Sequence, residues 1–168
     1  MKGFSFIELL ISMFIILLLV LLSFPFYISI NKQLTMDRAA TRLVQDIRKA
    51  IEMTMSAQKF EGSYPDGGYG VHFPSGSSGK YYLFADNDGD RVYGAGELVE
   101  TIEIEGEIEI NERTASFSSI TFLAPEPKVY LNDSSGIELL GAEAYVLFSD
   151  GSNQNYIYIN KAGLVYIP

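Results

Sequence analysis

From Phe4 to Ile30 the chain carries one charged side chain, Glu8, inside an otherwise almost uninterrupted apolar run. At about 1.5 Å per helical residue, a stretch of this length crosses a hydrocarbon core of about 30 Å. A carboxylate at the centre of such a helix costs on the order of 2.5 to 3.5 kcal/mol, and less near its end. Glu8 therefore needs a partner or a function. An ordinary membrane anchor explains the length of the run but not the carboxylate. A secretory signal has a shorter apolar core, roughly 7 to 15 residues, with a small-residue cleavage site after it. Here the run is longer, and its Pro25 is flanked by Phe24 and Phe26.

The leader Met1-Lys2-Gly3, the Phe4 that follows it and Glu8 at the fifth position counted from Phe4 resemble the class III leader junction of the type IV pilin and type II secretion pseudopilin superfamily. Pro25 falls where many such pilins carry a helix-kinking proline. The resemblance implies cleavage between Gly3 and Phe4 and N-methylation of the new Phe4 amine by a prepilin peptidase/methyltransferase. It also implies that Glu8 pairs with the methylated amine of a neighbouring subunit in a filament, which meets the demand that a buried charge be paired. One rule opposes the expected orientation. Lys32, Arg38, Arg42, Arg48 and Lys49 follow the run, whereas only Lys2 precedes it, so positive charge alone places the C-terminal side in the cytoplasm. The resemblance places that side outside.

Beyond the run, roughly 135 residues remain, enough for one domain with its own core. The formal charge of −9 argues against sequence-independent nucleic-acid binding, which requires a basic surface. With no cysteine, an extracytoplasmic domain holds together by packing or by a metal.

After Pro25 a helical period continues through Ala40, Leu43, Val44, Ile47, Ile51 and Thr54 to Met55, with charged residues between. Gly62 and Pro65 mark the exit into a loop. Short β-type runs follow: Tyr69 to Phe73, Lys80 to Ala85, Leu98 to Ile104, Glu107 to Ile110, Phe117 to Leu123, Val129 to Leu131, Ala144 to Ser149, Asn155 to Asn160 and Leu164 to Ile167. From Ile102 to Ile110 isoleucine and glutamate alternate about Gly106, so the isoleucines are expected inside and the glutamates in water.

The order of elements, the Tyr69-Gly70-Val71 first strand and an aspartate-rich turn are similar to the minor pseudopilins of the H type. So are Ser118 to Phe122 and the closing Asn160 to Ile167. Members linked to DNA uptake carry basic residues just after the C-terminal glycine. Here Gly163 is followed by Leu164, Val165 and Tyr166, which weighs against a nucleic-acid partner.

The loop from Asp86 to Glu97 places Asp86, Asp88, Asp90 and Glu97 at positions 1, 3, 5 and 12 of a calcium-type loop, with the Val92 carbonyl at position 7. Position 6, normally glycine, is Arg91. The alternative is an Asp/Gly-rich turn whose side chains bond local backbone N–H groups. No enzyme class is indicated: the chain has a single histidine, His72, on an expected strand, no zinc-ligand spacing and no phosphate-binding glycine loop. The tyrosines Tyr81-Tyr82 and Tyr156-Ile157-Tyr158 suit a ligand, but tyrosine is common in sheets.

The expected architecture is α+β. Residues 1–3 form a leader, 4–30 a membrane-spanning and filament-core helix, 31–58 the amphipathic second half of that helix, and 59–168 a β-rich head outside the cytoplasm. The expected partners are other pilin or pseudopilin subunits, the peptidase/methyltransferase, an inner-membrane assembly platform and the membrane. Within the superfamily that the chain resembles, a minor pseudopilin or minor pilin is expected, with a major pilin as the alternative; the contrasting class is a membrane-anchored monomer with a ligand-binding head.

Overall fold

Between Phe4 and Glu61 the chain has no glycine and one proline, and its aliphatic residues favour a helix. In a computed structural model this segment forms α1 (Phe6–Met55). The structure describes residues 5–76, 78–114, 117–125 and 128–167, with the backbone alone for 24–26, 28, 29 and 112. The chain divides into two units, residues 1–35 and residues 36–168. One apolar helix, one amphipathic helical segment and antiparallel sheets make the fold α+β.

α1 ends earlier than Gly62 and Pro65 would place it. Ala57 turns into the left-handed region at φ 48°, the Gln58 N–H bonds to the Met53 carbonyl (3.0 Å), and the Ala57 N–H bonds to that of Thr54 (3.1 Å). This is a Schellman closure with alanine where glycine is usual, and the left-handed turn costs roughly 1 kcal/mol.

In the second unit, the stripe of α1 that meets the core is Met36, Ala40, Leu43, Ile47, Ala50 and Met53, at helical spacing. Thr54 is buried, whereas Met55 is exposed because the last turn carries it to the other side. Thr54 Oγ1 donates to the Ala50 carbonyl and accepts the Tyr69 N–H at 3.0 Å, which fixes the helix end to the first strand. The Tyr81 hydroxyl donates to Asp46 Oδ2 at 2.6 Å.

The strands are β1 (Gly68–His72), β2 (Lys80–Asp86), β3 (Leu98–Glu103), β4 (Glu109–Arg113), β5 (Ser119–Leu123), β6 (Lys128–Asn132), β7 (Glu143–Ser149), β8 (Gln154–Asn160) and β9 (Val165–Tyr166). Each overlaps one of the expected runs. The ladders are all antiparallel: five strands in the order β3-β2-β1-β5-β6 and four in the order β4-β7-β8-β9. The alternating segment from Ile102 to Ile110 runs from the edge strand of one sheet to the edge strand of the other. Ile102, Ile108 and Ile110 are buried, Ile104 is partly buried, and Glu103, Glu105, Glu107 and Glu109 are exposed. Gly106 turns at φ 80°.

Side-chain alternation assigns the faces. Tyr69, Val71 and Phe73 in and after β1, and Tyr81, Leu83 and Ala85 of β2, enter the same core cluster as Ile120, Leu131, Val146, Phe148 and Ile157. Both sheets thus bury one face around the helical stripe. The other face of the five-stranded sheet, carrying Gly70, Tyr82, Phe84 and Tyr130, is covered differently, by the loop between β2 and β3.

Candidate functional site: the bare apolar helix and the acidic loop

α1 starts at a Ser5-Phe6-Ile7-Glu8 sequence. The Ser5 carbonyl accepts the N–H groups of Glu8 (3.0 Å) and Leu9 (3.2 Å), so Glu8 lies in the first turn. There a carboxylate complements the positive end of the helix dipole, typically by 0.3–1 kcal/mol when exposed. Downstream, two hydroxyls that would oppose transfer into lipid are bonded within the helix, Ser12 to the Glu8 carbonyl and Ser23 to the Leu19 carbonyl, each at 2.8 Å. From Phe6 to Ser23 no side chain is buried, and this stretch is long and apolar enough to cross a membrane. The helix continues through Pro25. Gly3 and Phe4 lie outside the described residues.

The acidic loop leaves β2 at Asp86 and returns at Glu97, just before β3. Its carboxylates are occupied by the loop's own backbone. Asp86 Oδ1 accepts the Gly89 N–H (2.8 Å) and Oδ2 that of Arg91 (3.0 Å). Glu97 Oε1 accepts the Asn87 N–H (2.8 Å) and Oε2 that of Gly94 (2.7 Å). Asp88 and Asp90 each bond the N–H two residues on, in Asp90 and Val92. Of the four carboxylates read as ligands, Asp86, Asp88 and Glu97 bring oxygens within 4.8 Å of one another, and Asp90 is not among them. Arg91 does adopt the left-handed conformation that glycine favours, at φ 65°, and two interactions hold it there. One is the Asp86 carboxylate on its N–H, and the other is stacking of its guanidinium 3.8 Å from the Tyr130 ring centre.

The packing roles of Arg91 and Tyr93 are what sequence reasoning missed. The Tyr93 ring packs on Tyr82 (5.2 Å), His72 (5.2 Å) and Phe84 (5.8 Å), closing the outer face of the five-stranded sheet. The Ser119 hydroxyl donates to the Arg91 carbonyl, and Gly136 comes so close that a side-chain carbon there would lie 2.3 Å from the Asp90 carbonyl oxygen. The loop is a cover whose shape the carboxylates set.

Two groups under this cover have displaced acidities. Burial pushes the Asp86 carboxyl up to about 6, the nearby carboxylates Glu97 and Asp90 push the same way, and the two N–H donors hold it back. Burial, aided by the Arg113 guanidinium, lowers His72 to about 4, so its ring is neutral at ordinary pH. Its Nδ1 lies 3.4 Å from the Ser118 hydroxyl and its ring stacks on Tyr82. That is the setting of a packed strand residue. No family model, curated protein or solved structure matches the chain.

Proposed function

We propose that this chain is a prepilin-type structural subunit, a minor pseudopilin or minor pilin. It is cut between Gly3 and Phe4, methylated on the Phe4 amine and assembled through its apolar helix into a filament of a type II secretion or type IV pilus system. The β-rich head then works outside the cytoplasm. One observation carries this reading: Glu8 stands in the first turn of a helix whose side chains from Phe6 to Ser23 find no cover within the chain. In lipid such a carboxylate is costly without a partner, and an ammonium at the N-terminus of an adjacent copy is close in sequence depth to where Glu8 lies. The uncovered apolar surface serves two environments in turn, the bilayer before assembly and neighbouring helices after it.

The experiment is Glu8→Gln in a host with a prepilin peptidase and the matching assembly machinery. The variant inserts into membranes at the wild-type level and is lost from sheared filaments. Incorporation at the wild-type level refutes the pairing.

A further inference from the structure

The outward face of the four-stranded sheet carries a row of tyrosines that stay partly exposed beside the buried Leu147 and Ser149. Ala144, Val146, Phe148, Ile157 and Ile159 point into the core, so Tyr145, Tyr156 and Tyr158 point outward, partly exposed, and are joined by Tyr166 of β9. Tyr145, Tyr158 and Tyr166 are register partners across three adjacent strands. Their rings form a continuous platform: Tyr158 stacks on Tyr166 at 5.4 Å and 13°, Tyr145 lies 6.0 Å from Tyr158, and Tyr156 lies 5.5 Å from Tyr145. The exposed carboxylates Glu143 and Glu109 belong to the same sheet, and Glu143 accepts the Tyr166 hydroxyl at 3.3 Å.

Three tyrosines elsewhere in the protein carry a cation on the ring. Arg91 lies over Tyr130, Lys59 over Tyr64 and Lys80 over Tyr82, at 3.8, 5.0 and 5.7 Å. Among the described residues, no lysine or arginine lies over the four tyrosines of the platform. The one basic residue of these strands, Arg113, turns its guanidinium to the Phe73 carbonyl, and Lys161 just beyond β8 is paired with Glu138. Four ring faces of negative quadrupole, with carboxylates on the same sheet and no cation of their own, complement a positively charged chain.

We propose that this tyrosine face is a docking surface for a basic, extended polypeptide segment, whose lysine or arginine heads lie on the rings and against Glu143. The surface belongs to the head and does not depend on the assembly reading.

The test uses the full chain in non-ionic detergent micelles, with fluorescein-labelled decalysine as the probe and anisotropy as the readout. Tyr156→Leu with Tyr158→Leu, which keeps an apolar cover but removes the ring faces, weakens binding about fivefold or more, whereas Tyr156→Phe with Tyr158→Phe stays within about twofold. Glu61→Gln with Glu105→Gln removes two exposed charges elsewhere and also stays within about twofold. Tyr166→Leu, at the exposed edge, weakens binding on its own, so the proposal is testable even if the leucine pair misfolds. An equal loss in the glutamine control and the leucine pair means unspecific attraction to an acidic protein and overturns the proposal. Binding of chitohexaose but not decalysine, lost in the leucine pair, makes the face a saccharide platform and overturns it equally.

Discussion

Replacing Asp86 with asparagine and, separately, His72 with glutamine uncovers two pH dependences that oppose each other in the wild-type head. Asp86 keeps its proton up to about pH 6 in the fold, against 3.8 ordinarily. Its protonated form therefore favours folding fully below pH 3.8, and this stability is lost as the pH rises through 6, by about 3 kcal/mol. His72 behaves oppositely. Its folded value of about 4, against 6.5 ordinarily, means that the unfolded chain takes up the proton first. Stability falls as the pH drops from 6.5 towards 4, by roughly 3 kcal/mol. The two windows overlap, so these contributions oppose each other between pH 4 and 6.

Asp86→Asn removes the carboxyl term and leaves a profile that rises with pH. His72→Gln removes the imidazole term and leaves one that falls with pH. Charged groups that touch neither Asp86 nor His72 are common to all three proteins and drop out of the comparison. The assay is urea unfolding of the full chain in non-ionic detergent, followed by the near-ultraviolet circular dichroism of the tyrosines, since the chain has no tryptophan. Asp86→Asn also turns an amide towards two N–H donors and lowers stability at every pH by about 1–3 kcal/mol. Parallel profiles for the three proteins refute the burial argument for both groups.

Three further outcomes follow from the packing. Ile47→Ala empties a site that is 0% exposed in the helical stripe and lowers unfolding free energy by about 2–5 kcal/mol in the same assay. Gly136→Ala puts a carbon 2.3 Å from the Asp90 carbonyl oxygen at a residue with φ 77°; it costs about 1–3 kcal/mol and speeds proteolysis within the acidic loop. Because the Asp86 and Glu97 oxygens already accept four N–H bonds, millimolar calcium shifts the melting temperature by less than about 1 °C; a larger rise that Asp88→Ala abolishes makes the loop a metal centre instead.

The elements were legible because each has a local signal. The period of Leu43, Ile47 and Thr54 marks the buried stripe, and the alternation through Ile102, Ile108 and Ile110 separates inside from outside across a change of sheet. The partition into two sheets was not legible, because pairings such as β1 with β5 and β4 with β7 join segments far apart in sequence and carry no local mark. Nor was the end of α1, since Ala57 has no intrinsic preference for the left-handed turn that it makes. In the acidic loop, oxygen spacing suited both a cation and a turn, because both use carboxylates at alternate positions. What spacing does not reveal is that the N–H groups of Asn87, Gly89, Arg91 and Gly94 reach these carboxylates. The packing of Arg91 and Tyr93 was not legible because their partners, Tyr130 and Tyr82, lie on strands distant from or outside the loop.

The central claim is that this helix is made to be processed at its start and then to exchange lipid for neighbouring helices. The most direct test is the intact mass and N-terminal sequence of the protein recovered from membranes of a host with a prepilin peptidase. The account predicts a chain that begins at N-methylated Phe4. An intact Met1, or a cut beyond Ser23, contradicts it and makes the helix a simple anchor or a removed signal.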